Sequence, residues 1–416
     1  MMEENIMTIR EDAKKIMQAS LSSALPDNAV HKALSNLPEV KGKLVLVAIG
    51  KAAWQMSKAA VDYLGDRISD GVCITKYGHV LGEIPHVRCY EAGHPVLDEN
   101  SINATKEAEL LVDDLTPEDM VIFLVSGGGS ALFENPLVPL EELQNITKQL
   151  LDCGANITEI NTLRKRLSSV KGGKFAKTCE PARVFAIILS DVIGDPLDMI
   201  ASGPAYPDSS STEDALEIVR KYQLKLSDNA LKLLSEETPK ACPNVESHIT
   251  GSVRQLCATA VAESKELGYE PIFLTSSLSC VARDAGSFLS SIAKDYAKND
   301  KSVAFILGGE TVVRILGNGI GGRCQEIALS AAQGIAGLDN VCLFAVGSDG
   351  TDGPTDAAGG IVDGNSAQII KDKGININDY LNNNDSYHAL KECDGLIVTG
   401  PTGTNVNDVI VLLIKR

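Results

Sequence analysis

The sequence predicts an α/β protein of two three-layer α/β/α domains, the first Rossmann-like with a mainly parallel sheet, the second with a mixed sheet. Three observations carry this. Its 416 residues exceed what one hydrophobic core holds, which favours two domains. Short, continuous apolar runs alternate with segments of helical periodicity, as strands buried on both faces alternate with crossover helices. Two apolar runs near the end lie close enough for a hairpin, which a purely parallel sheet would not contain.

In chain order, residues 8–35 read as one helical stretch. Lys43–Gly50 is an apolar run ending in glycine, with a helix from Ala52 to about Leu64 directly behind it: strand, turn, helix, the opening of a βαβ unit. Gly71–Thr75, Met120–Val125 and Val184–Leu189 are further strand candidates. Residues 203–245 are more polar and carry Pro204, Pro207, Pro239 and Pro243. A boundary is expected there, giving domains 1–240 and 241–416. The second half restarts with a strand at His248–Gly251 and a helix from Val253 to Leu267. Ser302–Leu307, Val341–Val346, Gly395–Thr399 and Val409–Ile414 follow as strands, the last two as the hairpin.

Composition narrows the partners. Acidic side chains outnumber basic ones, 55 to 38, for a net charge of −17. Such a field repels nucleic acid and anionic membranes, so neither is expected as a partner. An anionic substrate would need local Lys, Arg, backbone N–H groups or a metal ion. The ten cysteines are scattered without CxxC or Cys/His metal spacing, as buried thiols of a reducing compartment are. The charged first residues hold no apolar signal core, and no run is long enough to span a bilayer. The expected location is the cytoplasm; a homo-oligomer is compatible with everything in the sequence.

In open α/β sheets ligands bind beyond the carboxyl ends of the strands, so the residues after each strand are the candidates. Gly50-Lys51-Ala52-Ala53 opens a helix and offers N–H groups and an ammonium to an anion. It lacks the GxxxxGK[ST] spacing of a P-loop. Ser126-Gly127-Gly128-Gly129-Ser130 follows a buried strand, where three glycines let the main chain approach an anion closely and the serines add hydroxyls. Ser190-Asp191, with Asp195 four further on, could hold Mg²⁺, accept a proton from a hydroxyl, or merely cap a turn. From Asn161 to Lys177 run six basic side chains, Arg164, Lys165, Arg166, Lys171, Lys174 and Lys177, read either as a phosphate attractor or as a solvated helix face. Gly308-Gly309-Glu310-Thr311 follows another strand. Arg323 stands at the start of an apolar helix, where a guanidinium can fork onto carboxylate or phosphate. Asp349 and Asp352 lie in an acidic loop that could contact Mg²⁺ or sugar hydroxyls. A lone histidine such as His94 is read as structural.

Taken in order, GKAA at 50–53, SGGGSAL at 126–132, NTLRKRLSSVKGG at 161–173, LSDVIGD at 189–195 and SGP at 202–204 resemble the class II glycerate kinases. So do GGET at 308–311, GGRCQE at 321–326, SDGTDGPTDAAG at 348–359 and GPTGTNVND at 400–408. The C-terminal blocks resemble the family's MOFRL-type domain. The resemblance implies an active site in the cleft between two domains and ATP-dependent phosphorylation of D-glycerate, usually to 2-phosphoglycerate, with Mg²⁺ or another divalent cation. Carried over by motif, Lys51 and Arg323 would bind the phosphoryl group or the glycerate carboxylate. Asp191 would serve as base or metal partner. Ser126 to Ser130, Asn161, Lys171 and Glu310 would contact substrate or phosphate, and Asp191, Asp195, Asp349 and Asp352 would face the metal. Relatives carry Asn where this chain has Cys324, which bears on affinity if that side chain touches ligand. The alternatives are an NAD(P)H-dependent hydroxypyruvate reductase, against which the missing GxGxxG fingerprint counts, and a non-catalytic phosphometabolite-binding protein.

Overall fold

The computed structural model describes residues 8–190, 192, 194 and 196–416. They form two compact units, Ala29–Thr250 on one side and the residues up to Asn28 together with Gly251–Arg416 on the other.

The first unit is built on strands β1 (Leu44–Ile49), β2 (Asp70–Lys76), β3 (Val87–Ala92), β4 (Met120–Val125), β5 (Arg183–Leu189) and β6 (Val245–Gly251), in the order β3-β2-β1-β4-β5-β6. The pairings β1–β2, β1–β4, β2–β3 and β4–β5 are all parallel. Their apolar runs follow from two-sided burial, because successive side chains point to opposite faces. Val45, Val47, Ile49, Val121, Phe123 and Val125 enter one core, shared with Ala104, Ala108 and Val112 of the helix Glu99–Val112. Leu44, Leu46, Ala48, Met120, Ile122 and Leu124 enter the other, under Met56, Ala60 and Leu64 of the helix Ala53–Leu64. Three layers result, as expected. The helices Leu140–Asp152, Ile157–Arg166, Thr212–Tyr222 and Asp228–Leu234 gather around a small core of their own, which includes Leu143, Ile146, Leu163 and Ile218.

The second unit holds β7 (Glu270–Leu278), β8 (Val303–Gly309), β9 (Val341–Gly347), β10 (Gly359–Asp363), β11 (Leu396–Ile397) and β12 (Asp408–Ile414), ordered β11-β10-β9-β12-β8-β7. β7 and β8 are parallel, while β12 runs antiparallel to both β8 and β9, so the sheet is mixed. Ile410, Leu412 and Ile414 pack under the helices Ala282–Tyr296 and Arg323–Gly334, and Val409, Val411 and Leu413 under the helix Val253–Glu266.

Four expectations need correction. The stretch 8–35 is two helices, Ile9–Ser23 and Pro26–Leu34, because proline suits a first helical turn and not an interior. The first of them belongs to the second unit: Ala13, Ile16, Met17 and Leu21 share a core with Leu256, Ala260 and Phe344, and Asp12 accepts from the Tyr269 hydroxyl (2.7 Å) and the Lys415 ammonium (2.8 Å). The chain passes between units at Thr250/Gly251, not near 240, and His248–Gly251 closes the first sheet instead of opening the second. Finally, β11 and β12 form no hairpin. β11 pairs with β10 at the sheet edge, and β12 inserts between β8 and β9, where all seven of its residues are buried.

Candidate active site

β1 and β4 pair in register up to Ile49 and Val125, so the turns that follow them meet. The Lys51 N–H donates to the Gly127 carbonyl (2.8 Å), and the Ser126 N–H donates to the Ile49 carbonyl (3.0 Å). Ser126 is buried, and its hydroxyl also donates to the Ile49 carbonyl (3.1 Å) while accepting from the Ala52 N–H (3.1 Å). Its one proton is therefore spent on fastening the two turns together and not on a ligand. The approach demands glycine at 50: its φ is +110°, and a Cβ there would lie 2.3 Å from the Ser126 hydroxyl.

Beyond Ser126 the main chain is differently employed. The N–H groups of Gly127, Gly128, Gly129 and Ser130 donate to no acceptor among the described residues, although Gly127 and Gly129 are buried. Four consecutive donors with no acceptor among the described residues leave the turn open to an anion. Lys51 stands beside them and pairs with no carboxylate among the described residues. This turn and this lysine are what an oxyanion requires.

The basic stretch after Asn161 is neither a solvated face nor a phosphate attractor, because most of its charges are consumed internally. Lys165 pairs with Asp198 (3.3 Å) and Asp208 (3.1 Å), and the buried Arg166 pairs with Asp208 (3.4 Å). Arg164 donates to the Ser130 carbonyl (2.9 Å) and faces Glu134 (3.4 Å). Lys171, expected to touch substrate, is fully buried; it donates to the carbonyls of Ser130 (2.9 Å) and Phe133 (2.8 Å) and faces Glu134 (3.5 Å). Burial pushes its pKa down to about 8. It braces the glycine-rich turn from behind and has no donor left for a ligand. Asn161 acts likewise. Its side-chain oxygen accepts from Ser202, whose hydroxyl lies 3.0 Å from that of Ser130. Asp191 and Asp195 lie outside the described residues.

In the second unit, Arg323 forks onto the buried Asp408 through Nε (2.6 Å) and Nη2 (2.9 Å), and its Nη1 reaches Glu310 at 3.1 Å. Glu310 is thus a partner of the arginine. Asp408, which the sequence reading did not single out, holds the guanidinium plane; it lies in the block GPTGTNVND, so the signal for it was present. Asp352 is buried too, and its two oxygens accept from the N–H groups of Cys324 (3.2 Å) and Gln325 (2.8 Å) at the start of the helix Arg323–Gly334. Burial, outweighing those bonds, pushes its pKa up to about 6. Asp352 is therefore a helix cap, not a metal ligand. Asp349 accepts from the Thr351 N–H (3.0 Å). Among the described residues no group of three or more His, Cys, Asp or Glu side chains could hold a metal ion. Cys324 is fully buried in the core. Two residues within the motif blocks stand out instead: the buried hydroxyls of Thr311 and Thr404 have no hydrogen-bond partner among the described residues.

A family model described as a domain of unknown function, DUF4147, matches residues 12–235, and the MOFRL family model matches residues 303–408. The D-glycerate 2-kinase of Thermotoga maritima is 52% identical over 98% of this chain and 99% of its own length. The glycerate 2-kinase of Pyrococcus horikoshii is 41% identical over 98% of each chain. The crystal structure of glycerate kinase from Thermotoga maritima superposes with a TM-score of 0.94 at 52% identity, covering 97% of this chain and 99% of that one.

Proposed function

We infer, from the premise that this chain belongs to the class II glycerate kinase family, that it transfers the γ-phosphoryl group of ATP to D-glycerate, giving 2-phosphoglycerate and ADP. The observation that carries the reading is the turn Gly127–Ser130, whose four N–H groups find no acceptor among the described residues, beside Lys51, which pairs with no carboxylate among them.

Phosphoryl transfer spreads negative charge over the equatorial oxygens of the migrating group, and catalysis is chiefly positioning and electrostatic stabilisation. The N–H groups and Lys51 present fixed positive ends to such oxygens without reorganising at the moment of reaction. Arg323, its plane set by Asp408, binds the glycerate carboxylate or a phosphate of the nucleotide; Thr311 and Thr404 supply hydroxyls to the same substrates. Asp191 is the base toward the glycerate hydroxyl in this reading. Mg²⁺ would reach the reaction on the phosphates of ATP, where it neutralises charge. Asp352, which caps a helix, and Asp408, which is engaged with Arg323, do not suit a protein-held ion. All ten cysteines are free, and among the described residues no helix is long and apolar enough to cross a membrane; both fit an enzyme working in the cytoplasm. A nicotinamide reductase has no support in the turn after β1, which lacks the GxGxxG fingerprint.

The test couples the reaction to enolase and pyruvate kinase, with D-glycerate, ATP and MgCl₂ supplied. Enolase accepts only 2-phosphoglycerate, so a glycerate-dependent signal establishes activity and regiochemistry together. A signal that appears only after phosphoglycerate mutase is added would make the product the 3-phosphate. Silence in both arms, with the coupling enzymes responding to authentic 2-phosphoglycerate, would remove the kinase reading.

A further inference from the structure

Two histidines lie near the turn after β1, and they are differently employed. His79 places Nδ1 3.0 Å from the Lys51 carbonyl, a structural bond. His94, two residues beyond the end of β3, hydrogen-bonds to nothing among the described residues, although its ring is partly buried. A histidine kept only for packing usually ties one ring nitrogen to a neighbour.

The ring of His94 lies against the glycine-rich turn. A Cβ built on Gly128 would sit 3.0 Å from both Nε2 and Cδ2 of His94 and 3.2 Å from Cγ of Lys51. The segments after β1, β3 and β4 therefore converge at Gly128, whose φ of +86° and missing side chain leave room between the imidazole edge and the lysine stem. We propose that His94 is a ligand-contacting residue of this site, its Nε2–H donating to an oxygen of the phosphate or carboxylate group that Lys51 and the Gly127–Ser130 N–H groups hold. This rests on the reading of that turn as the oxyanion site of the kinase. The chemistry is consistent. Burial first, and then the ammonium groups of Lys51 and Lys76, hold the His94 pKa below the usual histidine value, which favours the neutral ring. A neutral imidazole can direct one N–H at an oxyanion without adding a second charge beside Lys51.

The experiment compares full-length wild type with His94→Gln and His94→Asn by titration calorimetry against inorganic phosphate and, separately, D-glycerate, with Lys51→Ala alongside. The amide nitrogen of Gln reaches about as far as Nε2, and that of Asn does not. His94→Asn should weaken binding of one of the two anions by roughly five- to tenfold, the worth of one hydrogen bond, and His94→Gln should recover most of it. A loss confined to phosphate identifies the held group as phosphoryl, and a loss confined to glycerate identifies it as carboxylate. Two results overturn the proposal: wild-type affinity in both variants, or equal losses in both, which marks a packing role. If Lys51→Ala loses affinity while both His94 variants keep it, only the role of His94 falls. If Lys51→Ala also binds as wild type, or wild type binds neither anion, the reading of the turn falls with it.

Discussion

Lys171 separates a brace from a ligand contact. Its ammonium is fully buried, with two backbone carbonyls and Glu134 around it. Replacing it with Met leaves the Phe133 carbonyl without that donor, at about 1–3 kcal/mol. It also leaves the buried Glu134 to Arg164 alone, and breaking a buried pair costs about 3–5 kcal/mol where no other partner remains. Against this, the variant no longer buries a charge whose pKa has dropped from 10.5 to about 8, a relief of about 3 kcal/mol. The net expectation is a destabilisation of about 1–4 kcal/mol, or roughly 2–16 °C in the unfolding temperature of the unit Ala29–Thr250. The pH dependence has a definite sign. The folded pKa is lowered, so below about 8 the folded state carries the whole penalty, and from there towards 10.5 the folded lysine sheds its proton while the unfolded one keeps its own. Wild type gains stability over that window and the Met variant does not, so the gap between them should widen between pH 8 and pH 10. Calorimetric melts at several pH values, with phosphate affinity measured in parallel, decide the matter. An unchanged melt together with a tenfold or larger loss of phosphate affinity would make Lys171 the ligand contact that its sequence block suggests.

Other perturbations follow from the same geometry. Arg323→Lys keeps the charge but cannot fork onto Asp408; at about 1.5–3 kcal/mol for a lost charge-assisted bond, turnover should fall at least about tenfold, and unchanged kinetics would deny the arginine its role. Asp352 has a raised folded pKa, so its contribution to stability is fully present below the unfolded value and is lost as pH rises through about 6. In Asp352→Asn that slope should vanish, the difference between the two proteins shifting by about 2–2.5 kcal/mol between pH 4 and pH 7 in urea titrations. Gly129→Ala would set a Cβ 2.7 Å from that of Ala201; a destabilisation of about 1–3 kcal/mol and a loss of turnover are expected, and a fully active variant would show that the turn can yield.

Strands buried on both faces were plain in the sequence, because β1, β4, β9 and β12 are unbroken apolar runs. β3, β7 and β10 were not, for separate reasons. β3 carries Arg88 and Glu91 on a sheet edge, β7 is a half-exposed edge strand whose register shifts, and β10 opens with two glycines. The site divides in a similar way. Lys51 and the SGGGS turn could be singled out because the feature is local: consecutive N–H groups and a lysine at neighbouring strand ends. Lys171, Asp352 and Asn161 were misjudged because their partners lie tens of residues away, at Phe133, at Gln325 and at Ser202. Charge type predicts that such residues bind something; only tertiary structure shows whether the partner is a substrate or the chain itself. His94 was passed over for the opposite reason, since an isolated histidine has no spacing to read.

The helix Ile9–Ser23 has a consequence for how the molecule is made. It leaves the ribosome ahead of the whole unit Ala29–Thr250, yet the surface that buries Ile16, Met17 and Leu21 belongs to residues synthesised only after Gly251. At 5–20 residues per second, it waits roughly 15–65 s, until Phe344 has been made, with that apolar stripe uncovered. During synthesis the stripe is a natural docking place for a chaperone. A fragment starting at Gly251 would have the converse defect, an open groove over Leu256, Ala260 and Phe344 where this helix packs. Supplying the helix as a separate peptide should restore such a fragment, so the two halves of the second unit amount to a complementation pair.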